Sequence, residues 1–363
     1  MEKEWRLINL GERNWLETQA IYHALALVQD EFQTPNTLVI TWPNTPLVCV
    51  GLHQVLTQSI ELEYIQKQGL PIVRRGTGGG SVFLDKNQVF YQIICDKKEY
   101  PHNLRDFFEH FLMPTVNTYQ DFGIPAEYSP INDILANNRK ISGNGAVTYG
   151  NSRVLVGNFI LSFPFKEMSK ILKVPEEKFR DKIAKSLEER MGSFSFFLDE
   201  VPSKDNVVEK YLKNFQEDLE IKLIEDSLTR EEEEKLQDIM RLYQEDDWLY
   251  YVEKDKRDLF QQKIKGETYF THSSKKYPGG LLQLFIHFDK AKIEEIVLSG
   301  DFSLSPPNIL EELQNSFIGL KVNQASLDNM LTNFFVSKKV DLPGITTKDI
   351  AQLIVETYSR IKK

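Results

Sequence analysis

The chain has 363 residues, of which 41% are apolar and 27% charged, with a formal net charge of −9. That length exceeds one small core and points to two domains of ordinary globular composition. The negative balance excludes a nucleic-acid-wrapping surface, which needs clustered positive charge, but leaves room for small anionic ligands in a locally basic site.

The N-terminal MEKEWRLINLGERN holds no apolar run of signal-peptide length, so no secretion signal is expected. The run from Leu155 to Phe165 is broken by Gly157, Asn158 and Pro164, far short of a spanning helix. Only Cys49 and Cys95 are present, each inside an apolar run, which argues against a disulfide framework or a zinc site. A cytoplasmic protein with no membrane or nucleic-acid partner is the expectation.

Thr37–Trp42 (TLVITW) and Pro46–Gly51 (PLVCVG) read as two strands joined by a turn at Pro43 and Asn44. Pro71–Arg74, Ser81–Leu84 and Val89–Ile94 read as further strands around a glycine loop. Phe107, Phe108, Phe111, Leu112, Val116 and Tyr119 recur at helical spacing over Leu104–Tyr119, and Pro114 is expected to kink or interrupt that helix. Arg153–Phe163 reads as another strand. Strand pairs with intervening helices indicate an α/β (α+β) domain with a mixed sheet.

Ser227–Tyr243 reads as a late helix, with Thr229 and Glu232 as a capping box and Leu236, Ile239, Met240 and Tyr243 as its apolar face. The run Glu231–Glu234 falls in its first turn, where negative charge complements the helix dipole. The polar run VEKDKRD from Val252 places a boundary near Glu253, giving a first domain over 1–250 and a small α+β domain over 256–363. In the latter, Gly280–Asp289 and Ile293–Phe302 alternate as strands, and helices follow near Leu310–Leu320 and Thr347–Lys362.

The most informative stretch is VRRGTGGGSVFLD, Val73–Asp85. Gly78, Gly79 and Gly80 leave the backbone bare, so its N–H groups can approach an anion closely. Arg74 and Arg75 offer charge-assisted partners for phosphate or carboxylate, and Thr77 a hydroxyl. The spacing excludes a P-loop, which needs Gly-Lys-Ser/Thr before a helix, and a dinucleotide fingerprint, which must open a helix. A tight hairpin with two exposed arginines remains the alternative.

In SPINDILANNRKISGNG, Ser129–Gly145, the pair Asn137–Asn138 is a hairpin turn between two short strands. It brings Asn132 and Asp133, at the start of one strand, toward Lys140 at the start of the other. Such a pair suits acyl-adenylate formation: a lysine neutralises phosphate and acyl oxygen, and an aspartate holds Mg²⁺ on the phosphates. The alternative is a solvated hairpin lysine and a turn aspartate, though Gly143, Asn144 and Gly145 behind Lys140 suggest close backbone approach.

Together these segments resemble the lipoate–protein ligase A family. RRGTGGGSVFLD is similar to its arginine–glycine loop, NDI with RKISGN to its Asn-Asp-Ile/Leu and Lys-Ile/Val-Ser-Gly pair, and WPNTPLVCVGLHQ (Trp42–Gln54) to an upstream stretch. DDW near Trp248 and SGDF near Asp301 resemble the end of the catalytic domain and part of the C-terminal domain. The resemblance implies the fold shared by biotin–protein ligases and class II aminoacyl-tRNA synthetases. It implies ATP, Mg²⁺ and lipoate as ligands, and as acceptors the E2 lipoyl domains of 2-oxoacid dehydrogenases or the glycine cleavage H protein. It implies Lys140 as the residue holding the acyl adenylate and Arg75 against carboxylate or phosphate. Gly78, Gly79, Gly80, Ser81, Val82 and Phe83 would contact nucleotide, and Trp42 would line the acyl tunnel. Asn132, Asp133, Ser142 and Gly143 complete the binding set, with Asp133 as the metal-holding group. Leu84, Gln88, Leu52 and Val156–Gly157–Asn158 depart from the family pattern.

An ATP-independent octanoyl- or lipoyl-transferase of the same fold is the competing expectation, and an inactive binding subunit is another. Some such transferases use a cysteine nucleophile. Cys49, between Val48 and Val50, and Cys95, after Ile93 and Ile94, have no cation beside them in sequence and read as small buried hydrophobes.

Overall fold

The computed structural model describes residues 3–101, 103–174, 176–253 and 268–361. β1 (Lys3–Arg13) buries Trp5, Leu7 and Ile8, and Asn14 caps the helix that follows, Trp15–Phe32, by accepting from the Leu16 N–H. That helix has no polar stripe in sequence because it is covered on nearly every side: Leu16, Ala20, Ile21, Tyr22, Ala24, Leu25 and Val28 are all buried. β2 (Thr37–Pro43) and β3 (Leu47–Val50) both form as expected, but they enter different sheets.

β3 is the centre of a small sheet, flanked by β4 (Ile72–Arg74) in parallel and β5 (Val82–Leu84) antiparallel. β2 sits in a six-stranded mixed sheet with β6 (Gln88–Asp96) beside it. After the Leu104–Asp121 helix come β7 (Ala126–Ser129), β8 (Asp133–Ala136) and β9 (Arg139–Ser142), a separate antiparallel sheet. β10 (Gly145–Tyr149), β11 (Ser152–Ile160) and β12 (Ile221–Glu225) complete the large sheet, whose order is β10-β11-β6-β2-β1-β12.

Pro114 does not interrupt the Leu104–Asp121 helix. The helix is held by packing: Phe107, Phe108, Phe111, Leu112 and Tyr119 are fully buried in the core that the large sheet shares with the Lys204–Leu219 helix. Tertiary burial outweighs the one lost backbone bond. The opposite face of the sheet is covered by the Trp15–Phe32 helix and the Arg230–Gln244 helix.

The acidic run at the start of that last helix is not uniformly solvated. The Thr229–Glu232 capping box forms, but Glu232 is buried and its carboxylate also accepts from Arg6 Nη1 and Nη2 at 2.7 and 3.1 Å. Arg6 donates further to Asp226 at 2.7 Å and to the Ser227 carbonyl at 3.0 Å, so one guanidinium ties β1 to the turn before the helix.

β13 (Thr268–Tyr277), β14 (Gly280–Asp289) and β15 (Lys292–Gly300) form an antiparallel sheet with its own core, backed by the helices Ile309–Phe317, Gln324–Lys338 and Thr347–Ile361. The middle helix escapes a sequence reading because it buries only Leu327 and Leu331. Between the two cores, Phe285 and Val297 meet Val55 and Val252. Glu253, taken from sequence as the start of a polar linker, is instead a buried anchor. Its carboxylate accepts from the Leu56 and Thr57 N–H groups at 3.1 and 3.2 Å. The rest of that polar run, residues 254–258, lies outside the described residues.

The Arg6 clamp predicts a stability contrast. Arg6→Leu leaves the Glu232 carboxylate buried without its cation and should lower the unfolding free energy by about 3–5 kcal/mol. Arg230→Ala, which removes an exposed partner of Glu234, should cost no more than about 0.5 kcal/mol. Urea unfolding of the two variants checks this; equal small losses would mean that Glu232 is solvated.

Candidate active site

A cavity of about 340 Å³ opens where the large sheet, the small sheet and the C-terminal domain meet. Phe90 and Gln92 of β6 and Val156 and Asn158 of β11 line it from the large sheet; Cys49, Val82 and Leu84 line it from the small one. Gln19 and Tyr22 come from the Trp15–Phe32 helix, and Lys276, Pro278, Gly279, Gly280 and Asp301 from the C-terminal domain.

The glycine loop forms one wall. Arg74 is fully buried, and its Nε and Nη1 donate to the carbonyls of Leu249, Gly51, Leu52 and Gln54 at 2.8–2.9 Å. Burial lowers its pKa to about 10, so it stays charged at neutral pH. It is therefore a brace for backbone and not the exposed anion partner the sequence suggested. Arg75 turns back on its own loop: Nη2 donates to Gly78 O at 2.7 Å and Gly80 O at 2.9 Å, and Nε to Thr77 Oγ1 at 3.1 Å. Gly79 carries φ +95°, and a Cβ there would sit 2.7 Å from Arg75 Nη2, so only glycine fits. With the loop carbonyls held by Arg75, the N–H groups of Gly78, Gly79 and Gly80 make no hydrogen bond among the described residues. That is a cradle for an anion.

The lysine hairpin forms the facing wall. Asn137 and Asn138 both take positive φ, 50° and 61°, as a two-residue hairpin turn requires. The turn sets Lys140 Nζ 2.5 Å from Asp133 Oδ1, with both side chains partly exposed at the cavity. Asn132 and Asn144 exchange side-chain-to-backbone hydrogen bonds at 2.6 and 3.0 Å, and the Gly143 N–H donates to Asn158 Oδ1 at 2.8 Å. These bonds pin the hairpin to β11 and fix where the lysine stands.

The cavity thus gathers Arg75, Gly78, Gly79, Gly80, Val82, Asn132, Asp133, Lys140 and Gly143, but four expected residues do not line it. Strand alternation explains two: with Val82 facing the cavity, Phe83 turns into the small-sheet core and Ser81 donates to Gln54 Oε1 at 3.0 Å. Ser142 is buried and donates to Asn158 O at 2.6 Å. Trp42 packs at the edge of the main core with Lys204 Nζ 4.7 Å from its ring.

Cys49 also differs from the sequence reading. It lines the cavity, and Arg75 Nη1 lies 3.6 Å from its sulfur, although burial raises the thiol's pKa. The contributions of Gln19, Tyr22, Gln92 and the C-terminal domain escape the sequence, since they come from a helix without a stripe, a mid-strand position and a distant domain. One signal was available: Gln88 and Gln92 are polar positions on one face of an otherwise apolar strand.

A model of the lipoyl protein ligase A/B catalytic domain matches residues 15–216, and one of the bacterial lipoate protein ligase C-terminus matches residues 267–354. The chain is 26% identical over 319 residues to lipoate-protein ligase LplJ of Bacillus subtilis, covering 87% of this chain and 90% of that protein. It is 23% identical over 271 residues to octanoyltransferase LipM of Kyrpidia tusciae, covering 68% of this chain and 98% of that protein. Among solved structures, the bi-partite lipoate protein ligase of Thermoplasma acidophilum, described with its E2 lipoyl domain, matches with a TM-score of 0.63 and 26% identity. The match covers 68% of this chain and 96% of that one.

Two buried histidines stand behind the loops of the site. His23 stacks on Tyr149 with centroids 4.1 Å apart and shares a 3.1 Å hydrogen bond with the Tyr243 hydroxyl; burial lowers its pKa to about 4. His53 stacks on Phe302 at 5.2 Å, and burial together with the Arg74 charge lowers its pKa to about 3. Both fold neutral, so their contribution is complete above pH 6.5 and shrinks as the unfolded chain takes up protons that the fold refuses. From pH 7 to pH 5 each should remove about 2 kcal/mol of stability. Urea midpoints across that range, with His23→Gln and His53→Gln each flattening the slope, provide the check. A stability independent of pH over this interval would mean that both rings take up protons in the fold as readily as in the unfolded chain.

Proposed function

Because the chain belongs to the lipoyl protein ligase A/B family, we propose that it is an ATP-dependent lipoate–protein ligase that forms lipoyl-AMP and passes the lipoyl group to a lysine of an acceptor protein. The observation that carries this reading is that the Lys140–Asp133 pair and the Gly78–Gly80 loop, whose N–H groups have no partner among the described residues, line one cavity.

In the first step a carboxylate oxygen of the acid bonds to the α-phosphorus of ATP and pyrophosphate leaves. Both reactants are anionic, so the step needs fixed positive charge and donors. Lys140 supplies the charge at the α-phosphate and acyl oxygen, and the glycine-loop N–H groups supply donors that need no rearrangement. In the second step the acceptor lysine's amine bonds to the acyl carbon and AMP leaves, so no enzyme nucleophile is required. Mg²⁺ is commonly held by one or two carboxylates plus substrate phosphates, and the partly exposed Asp133 fits as such a ligand. When bound, the ion would offset charge on the phosphates.

The acceptor is a lipoyl domain of the E2 type, in line with the partner of the archaeal relative, or an H protein. No helix among the described residues is long and apolar enough to cross a membrane. The reading predicts lipoate-dependent ATP–pyrophosphate exchange in the presence of Mg²⁺. Lys140→Ala should reduce it by about 10²–10³-fold while leaving unfolding unchanged, because Lys140 is a partly exposed residue. Near-normal exchange by that variant would return Lys140 to the surface. No exchange by the folded wild type with lipoate or octanoate would remove the ligase reading.

The second reading is acyl transfer through Cys49, favoured by its place in the cavity beside Arg75. Two facts weigh against it. Burial raises the thiol's pKa, and the match to the octanoyltransferase covers 68% of the chain whereas a ligase C-terminal domain is matched in addition. Cys49→Ser should therefore keep most of its ATP-dependent ligation per folded molecule. An acyl-thioester on Cys49, found by mass spectrometry and released by hydroxylamine, would promote the transferase.

A further inference from the structure

Apart from Arg75, whose guanidinium is turned onto its own loop, the cations that line the cavity among the described residues are Lys140 and Lys276. Each is paired with a carboxylate of the same cavity, Lys140 with Asp133 and Lys276 with Asp301. The two pairs therefore offer an anion no net charge until a lysine is drawn away. Lys140 stands on the hairpin of the first domain with its side chain 33% exposed. Lys276, near the end of β13 in the second domain, is 66% exposed and stands nearer to solvent.

The second pair lies against the glycine loop. A Cβ on Gly80 would sit 3.8 Å from Asp301 Cβ and 3.9 Å from Asp301 Oδ2, and Lys276 Nζ is 3.2 Å from that same oxygen. The four-carbon stem of Lys276 therefore keeps its ammonium within reach of an anion seated on the Gly78–Gly80 N–H groups. Asp301 does not depend on the lysine. Its Oδ1 also accepts from the Leu281 N–H, so the carboxylate keeps a donor when Lys276 moves. Lys275, the preceding residue, points to the opposite face of β13 and pairs with Glu356 of the last helix at 3.9 Å.

We propose that Lys276 binds the pyrophosphate end of the nucleotide, so that the C-terminal domain adds one cation to a polyphosphate site that the first domain leaves incomplete. The proposal rests on the acid-activating function given above. In that reaction the α-phosphorus bonds to a carboxylate whose acyl chain needs cover, which suits the deeper Lys140. The β- and γ-phosphates carry most of the charge and must depart, which suits the exposed lysine at the mouth. As the carboxylate oxygen bonds to the α-phosphorus, the bridging P–O bond breaks and its electron pair leaves on pyrophosphate. An ammonium beside that oxygen offsets the charge it gains.

Pyrophosphate exchange, with calorimetric titration of pyrophosphate and of lipoyl-AMP, tests this, because lipoyl-AMP has no β- or γ-phosphate. Lys276→Ala should raise the KM for ATP and for pyrophosphate about tenfold in exchange. It should weaken pyrophosphate binding about tenfold in the titration and leave the affinity for lipoyl-AMP unchanged. Lys276→Arg, which keeps the charge, should recover most of the loss, and Lys275→Ala should match wild type throughout. The replaced side chain is exposed, so the fold should tolerate each change. Unchanged KM values in Lys276→Ala, or an equal loss of affinity for lipoyl-AMP, overturn the assignment while the ligase reading survives. If wild type exchanges with neither lipoate nor octanoate, the ligase reading falls and the titration decides the pyrophosphate site by itself. Equal pyrophosphate affinity in wild type and Lys276→Ala, or none in wild type, then overturns that site as well.

Discussion

The site depends on two adjacent guanidinium groups that bond backbone carbonyls instead of carboxylates. Arg74 gathers the carbonyls of Gly51, Leu52, Gln54 and Leu249, and Arg75 those of Gly78 and Gly80. Charge-assisted bonds of this kind are roughly twice as strong as neutral ones, and a buried guanidinium left without them would be costly. The pair therefore fixes two loops at once, the one after β3 and the one before β5. Trp248 adds a third tie, donating from Nε1 to the Arg74 carbonyl at 2.8 Å. A loop of three glycines would otherwise be the most mobile segment of the domain. The arginines convert it into a fixed row of N–H donors.

That constraint also explains the position of the C-terminal domain. A Cβ on Gly78 would run into the Phe302 carbonyl oxygen, so the bare loop permits close packing against the second domain. The Gly300 N–H donates to His53 O at 3.0 Å, and the His53 ring lies on Phe302. The second domain thereby brings Lys276 and Asp301, paired at 3.2 Å, to the cavity mouth. The cavity is thus a property of the assembled chain, with one wall that the first domain cannot build.

Much of this was legible in the sequence, for definite reasons. The glycine loop, the Asn137–Asn138 turn and the Thr229–Glu232 box are local: each needs only neighbouring residues, so spacing reveals it. The Leu104–Asp121 helix was legible from its apolar stripe, though Pro114 misled as to its continuity. What stayed hidden depends on distant partners. Arg74 looks like a surface charge until Leu249 is folded onto it. Glu232 looks like one of four solvated carboxylates until Arg6, 226 positions away, closes on it. The Trp15–Phe32 helix has no stripe because it is enclosed, and Cys49 has no cation beside it in sequence because Arg75 arrives across the small sheet.

The same distinction between fixed and releasable charge separates the roles of the site cations. Arg75 directs Nε and Nη2 at its own loop, and moving it would free Gly79 to change conformation, so its place is structural as much as electrostatic. Lys140 and Asp133 are both partly exposed, and such ion pairs contribute only about 0–1 kcal/mol. Under the proposed function, a triphosphate, with far more charge than one carboxylate, would draw Lys140 from Asp133 at little cost and leave the carboxylate free to meet a cation. The hairpin bonds through Asn132, Asn144 and Gly143 hold the strand still while the lysine's four-carbon stem moves. The arginines therefore set the shape of the site, and the partly exposed lysine is the cation that its bonds leave free to move.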